Sequence, residues 1–247
     1  MYSVSKCFMM DESKTVRDFS VDCKRVDDPS DALVLWGDSY AAALSPGLRA
    51  LHGNLIQYTA SGCPPVVDTE FPQRPNCVEI NRFVIREIEK LKPREIYLAA
   101  NWHTYHQEDV ALRLRKTLQV IKNVSPSSRV VVIGGVPQWE PSLPVYALRK
   151  GVSLDREQYL SLPAYNMLEK MDHELKETAT THGAAFFSAL NALCQDDKCL
   201  TVLATQDGRE NSYELAAWDN GHLTRASALL LARKLLEGRL KVKPEHP

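Results

Sequence analysis

The chain has 247 residues, 44% hydrophobic and 25% charged, which excludes disorder and a collagen-like or disulfide-only scaffold and allows a proper core. Lys plus Arg total 30 against 31 Asp plus Glu, so the net charge is −1 and no global field favours nucleic acid or an acidic membrane surface. No segment approaches the roughly 18 apolar residues of a membrane-spanning helix.

Residues 1–31 are polar and mixed, without a sustained period, and carry the first two cysteines. They read as an N-terminal extension. The start of the chain lacks the long apolar stretch of a signal peptide, which alone points to the cytoplasm. Six cysteines at positions 7, 23, 63, 77, 194 and 199 point elsewhere. Neighbour pairing gives Cys7–Cys23, Cys63–Cys77 and Cys194–Cys199, one connectivity among several. Zinc is a rival, although only Cys194 and Cys199 approach ligand spacing, and six buried free thiols are a third reading. The even count in local groups favours disulfides and an oxidising compartment. The two signals agree if Met1 is an expression start and the chain was cut from a longer exported or membrane-anchored protein.

From residue 32 the pattern becomes regular. Ala32–Trp36 is a buried strand, 40–51 a helix and Leu55–Tyr58 a second strand, and the Pro-, Gly- and Cys-rich 60–77 a loop. Residues 78–91 present a helical face stopped by Pro93, before a third strand at Glu95–Ala100. A helix over 108–123 leads to a fourth strand, Arg129–Ile133, and an elaborated loop over 134–152. A long helix is expected over 158–182, a fifth strand at Ala184–Phe187, and a terminal helix over 224–240 after the last cysteine pair. Alternating strands and helices predict an α/β protein: three layers, α/β/α, around a five-stranded parallel, flavodoxin-like sheet in one domain over 32–247.

Functional groups in such sheets gather beyond the carboxyl ends of the strands. The first strand ends in Gly37-Asp38-Ser39, which presents a hydroxyl at a helix N-terminus, where a developing anion is favoured. An N-cap role explains a serine there equally well. The loop after the second strand contains Ala60-Ser-Gly62-Cys-Pro-Pro65, and the third strand ends at Asn101. Asn101 is as readily a residue that satisfies loop backbone groups. Before the last helix stands Trp218-Asp219-Asn-Gly-His222-Leu-Thr224. An aspartate and histidine three apart suit a carboxylate–imidazole hydrogen bond, while Thr224 suits a helix cap. Trp102, Tyr105, Trp139 and Trp218 stand near this rim as a potential sugar platform, with core packing as the plainer account. His103 and His106 lack a third ligand at metal spacing.

Together, Ser39, Gly62, Asn101 and the Asp219–His222 pair resemble the SGNH (GDSL-like) hydrolase superfamily, named for its Ser, Gly, Asn and His. The resemblance implies Ser39 as nucleophile, His222 as general base and Asp219 as its orienter. It implies an oxyanion hole from the N–H groups of Ser39 and Gly62 and the side-chain amide of Asn101. The blocks Leu33–Leu44, Ser61–Pro65 and Val132–Gln138, with the paired cysteines, are similar to the extracytoplasmic SGNH domains fused behind acyltransferase-three membrane domains. Tyr40, where relatives often carry His, and Asn220-Gly221 before His222 depart from that pattern. Those proteins O-acetylate bacterial surface polysaccharides such as lipopolysaccharide O-antigen or peptidoglycan.

A periplasmic location follows from the resemblance, with an acetyl donor supplied by an associated membrane acyltransferase domain and a glycan acceptor. The charge balance and the ligand spacing argue for no nucleic acid and no metal; no cofactor is expected, and membrane contact only through parts of the full-length chain beyond this sequence. Tyr40, Trp102, His103 and Trp139 are the candidate substrate contacts. A freestanding carbohydrate O-acetyl esterase and a non-catalytic glycan-binding module of the same fold are the alternatives.

Overall fold

The computed structural model describes residues 7–10, 15–24, 26–28, 31–205 and 212–241, so part of the 1–31 extension lies outside the described residues. In chain order the first elements are β1 (Phe8–Met9), β2 (Leu33–Gly37), α1 (Ser39–Leu51), β3 (Leu55–Ala60), α2 (Cys77–Leu91), β4 (Glu95–Ala99) and α3 (Val110–Val124). Then come β5 (Arg129–Ile133), α4 (Leu143–Arg149), β6 (Gln158–Ser161), α5 (Tyr165–Thr181), β7 (Ala185–Phe187) and α6 (Ala189–Leu193). The chain continues through β8 (Cys194–Gln195), β9 (Lys198–Ala204), β10 (Tyr213–Leu215) and α7 (Arg225–Lys241).

The main sheet is parallel, in the order β1-β3-β2-β4-β5-β7. All five expected strands are in it, and Phe8–Met9 adds a sixth at the edge beside β3. Strands β2 to β4 are buried throughout, as continuous apolar runs covered on both faces should be. Val34, Trp36, Ile56, Ile96 and Leu98 point to a layer built with Ile80, Val84, Leu114, Leu118 and Leu175 from α2, α3 and α5. Leu33, Leu35, Leu55, Tyr97 and Val131 point the other way, to Leu44 and Leu48 of α1 and Leu231 and Leu235 of α7. This alternation makes the α/β/α layering.

Helix α1 accommodates a proline at its centre. Pro46 has no N–H for the carbonyl of Ala42, and the Ser45 hydroxyl donates to that oxygen instead, at 2.7 Å. Gly47 lets α1 and α7 touch backbone to backbone, since a Cβ there would lie 2.0 Å from the Ala228 oxygen. Cys7–Cys23, Cys63–Cys77 and Cys194–Cys199 are disulfide-bonded, the last across the β8–β9 hairpin.

Three expectations need correction. The helix expected over 158–182 starts only at Tyr165, and Gln158–Ser161 is strand β6. The loop expected over 134–152 contains the helix Leu143–Arg149, which begins with a proline in its first turn. The stretch after α6, for which no strand was expected, is ordered into strands. Its β8, β9 and β10 join β6 in an antiparallel four-stranded sheet.

Candidate active site

At the carboxyl end of β2 the chain turns sharply into α1. Gly37 pairs with Thr59 of β3 and Ala99 of β4, and a Cβ on it would sit 1.7 Å from the Ala99 carbonyl oxygen, so only glycine fits. Asp38 follows as the N-cap of α1 and accepts the Tyr40 N–H at 2.8 Å. Its other oxygen accepts the Asn101 N–H at 2.9 Å and the Tyr105 hydroxyl at 3.0 Å. The carboxyl is 1% exposed. Burial pushes its pKa above the ordinary value, against those three donors and the nearby His222. Asp38 thus ties the loop after β2 to the loop after β4, and Ser39 stands at the first turn of α1.

His222 comes from the segment between β10 and α7. Ala217 bridges Leu223 across a tight loop, closed by the Trp218 N–H donating to the His222 oxygen at 3.1 Å. One oxygen of Asp219 accepts the N–H groups of Gly221 and His222, at 3.0 and 2.8 Å. The other meets His222 Nδ1 at 2.6 Å, and His222 Nε2 lies 2.8 Å from the Ser39 hydroxyl. A carboxylate only accepts, so Nδ1 carries the proton and Nε2 presents its lone pair to Ser39. Partial burial pushes the Asp219 carboxyl up, but the His222 imidazole and the two N–H groups outweigh it and hold it below the usual value.

The loop after β5 clasps this segment. The Trp139 N–H donates to the Asn220 carbonyl and the Asn220 amide to the Trp139 carbonyl, both at 2.7 Å, and the Leu143 N–H reaches the Asp219 carbonyl at 3.0 Å. The Tyr40 hydroxyl donates to the Gln138 side chain at 3.0 Å. The Tyr40 ring lies 4.3 Å from the His222 ring, and burial with the Asp219 charge raises its phenol pKa. Gly221 fits under Gln138 and Tyr40, where a Cβ would come within 2.5 Å of the Gln138 amide. The indole of Trp218 stacks on His222 with centroids 5.0 Å apart and planes 18° from parallel.

The structure therefore brings Ser39, His222 and Asp219 into one hydrogen-bonded chain. Gly62 follows β3 with φ +63°, in a turn on the same rim, and Asn101 lies two residues past Ala99, the partner of Gly37. The Asn101 side chain makes no hydrogen bond to another described residue. Two expected substrate contacts are corrected. Trp102 is buried and donates its indole N–H to the Ile133 carbonyl at 2.7 Å, and Trp139 is buried against Tyr146. Each sits at the rim in sequence, but its side chain turns into the core. Tyr40 is half-buried with its ring beside His222, and His103 is half-buried, while the His106 side chain lies outside the described residues. The bracing roles of Asp38, Tyr105 and Gln138 escaped the sequence reading. For Asp38 the signal was its place between Gly37 and Ser39.

The model of the family described as SGNH domain (fused to AT3 domains) matches residues 6–237, and the chain belongs to this family of SGNH hydrolases and acyltransferases. The periplasmic domain of a lipopolysaccharide acetyltransferase from Salmonella ser. Paratyphi A is similar at 25% identity and a TM-score of 0.73, over 95% of this chain and 91% of that one. The aryl esterase of M. smegmatis shares the fold at 13% identity and a TM-score of 0.53, over 87% of this chain and 100% of that one. A search of curated proteins finds no match. Three disulfides are consistent with an extracytoplasmic location. Among the described residues no helix is long and apolar enough to cross a membrane.

Proposed function

We propose that this domain transfers acetyl groups to hydroxyls of a bacterial surface polysaccharide, lipopolysaccharide O-antigen or a similar glycan, through an acyl-enzyme on Ser39. The observation that carries the reading is the hydrogen-bonded chain from Ser39 through His222 to Asp219, with links of 2.8 and 2.6 Å. His222 Nε2 takes the Ser39 proton as the oxygen attacks an acetyl carbonyl, and Asp219 holds the imidazole and balances its positive charge. The N–H groups of Ser39 and Gly62 and the free amide of Asn101 receive the oxyanion. Losing one such donor costs on the order of 10²–10³ in turnover.

The donor's leaving group departs with the proton from His222, which leaves acetyl on Ser39. A sugar hydroxyl then gives its proton to the same nitrogen as it attacks the acetyl carbonyl, and the Ser39 oxygen leaves with that proton, which restores the hydroxyl and the neutral imidazole. The periplasmic placement and a membrane acyltransferase domain as donor are supported by the family's fusion partner and by the Salmonella domain. In this reading residues 32–247 form the catalytic domain and 1–31 an N-terminal extension pinned by the Cys7–Cys23 disulfide.

The test is turnover of p-nitrophenyl acetate by the wild type and Ser39→Ala, with and without bacterial oligosaccharides. Ser39-dependent turnover with acetylated sugar among the products is expected. Acetate as the sole product would favour an esterase, and equal inertness of two correctly folded proteins would overturn the serine mechanism.

A further inference from the structure

Three of the four tryptophans are spent on the fold: Trp36, Trp102 and Trp139 are buried, and two of them donate their indole N–H inside the protein. Trp218 alone keeps half its surface in water, at 51% exposure. Its position is fixed on both sides of the catalytic loop. Its N–H closes the turn on the His222 carbonyl, and its neighbour Asp219 is pinned through its own carbonyl to Leu143. Large aromatics are normally well buried, so a rigidly held, water-facing indole beside a hydrolase-type histidine is an unfilled half-contact.

We infer that Trp218 is the stacking platform for the sugar next to the one acetylated, so that the acceptor is read as an oligosaccharide. This rests on the transfer reading above. His222 occupies one face of the indole, at 5.0 Å between centroids, while half of the side chain's surface stays in water. A pyranose ring stacked on the indole face turned away from His222, about 4 Å from a ring that is itself 5.0 Å from the imidazole, lies well beyond the roughly 3 Å within which His222 takes a proton. The ring on Trp218 is therefore not the reacting one. It is the adjoining residue of the same glycan, whose C–H face suits an indole while its hydroxyls stay in solvent. A single sugar cannot fill both places.

The inference is tested on Ser39→Ala protein with mono-, di- and tetrasaccharides cut from base-treated surface polysaccharide of the source cell. Iodide quenching of tryptophan fluorescence reports the one exposed indole, and calorimetry reports affinity. Di- and tetrasaccharides are expected to protect the fluorescence and monosaccharides to leave it quenched. Adding Trp218→Ala should weaken disaccharide binding about tenfold, the scale of an aromatic anchor, and Trp218→Phe should recover most of it. Equal affinity with and without the indole, or protection by monosaccharide, overturns the platform and leaves acetyl transfer standing. So does protection by anionic lipid vesicles in place of glycans, and absence of any glycan binding overturns it as well. Failure to find acetyl on wild-type Ser39 by intact mass, with oligosaccharide still protecting Trp218, supports the platform and removes the transfer reading alone.

Discussion

Asp38 shows how a motif residue can act without touching substrate. Three donors converge on its two oxygens. An amide offers one acceptor and turns an N–H₂ towards donors, so Asp38→Asn should cost about 1–3 kcal/mol in a denaturant melt and loosen Ser39 enough to lower turnover. Asp219→Asn tests a different quantity, because it frees the wrong imidazole tautomer, and turnover should fall by about 10⁴ with little change in melting temperature. A third carboxyl lies under the β5 loop. Asp172 accepts the Gly135 N–H at 3.2 Å and the Ser188 hydroxyl, and burial lifts its pKa to about 6. The folded state holds that proton between the ordinary carboxyl value and about pH 6, where the unfolded chain has released it. The stability this proton lends is full below the unfolded value and lost as pH rises through the folded one. Wild-type protein should therefore gain stability relative to Asp172→Asn, by on the order of 2 kcal/mol, as melts are taken from pH 7 down to pH 4.

At the scale of elements, the five expected strands of the main sheet were legible because each is a short apolar run set between helical periods or turn signals, even β7, which is half-buried at the sheet edge. The antiparallel sheet was not. Gln158–Ser161 and Tyr213–Leu215 are half-buried and short, and β9 reads as a strand only once its partners are known. The Ser39, Asn101 and Asp219–His222 positions were legible as motif residues. The Gln138 clasp was not, because it joins segments far apart in the chain, and Trp102 and Trp139 misled because strand-end position does not fix side-chain direction. One close contact joins both halves of the site. Gly47 lets α1, which starts at Ser39, lie against α7, which starts three residues after His222. Gly47→Ala should cost about 1–3 kcal/mol by overpacking and lower esterase turnover with it, while Gly53→Ala, with nothing near its Cβ, should change neither.

For the whole molecule, the disulfides divide by task. Cys63 follows Gly62 directly, and its bridge to Cys77 closes 14 residues, while Cys7–Cys23 closes 16 beside the sheet edge. Each should be worth about 3 kcal/mol on loop closure. Replacing Cys63 and Cys77 by alanine should lower both stability and turnover, and replacing Cys7 and Cys23 should lower stability while turnover at 20 °C persists.

The hydrogen bond between Ser39 and His222 spans 183 positions, almost the whole length of the catalytic unit. Contacts so distant in sequence form late. As a ribosome makes the chain, the serine and most of the parallel sheet exist long before any base does. The histidine arrives with the last helix, which must also dock on α1 before Nε2 faces the hydroxyl. A chain interrupted earlier carries an inert alcohol at the end of β2. The proposed catalytic chain is therefore complete only once α7 has docked on α1.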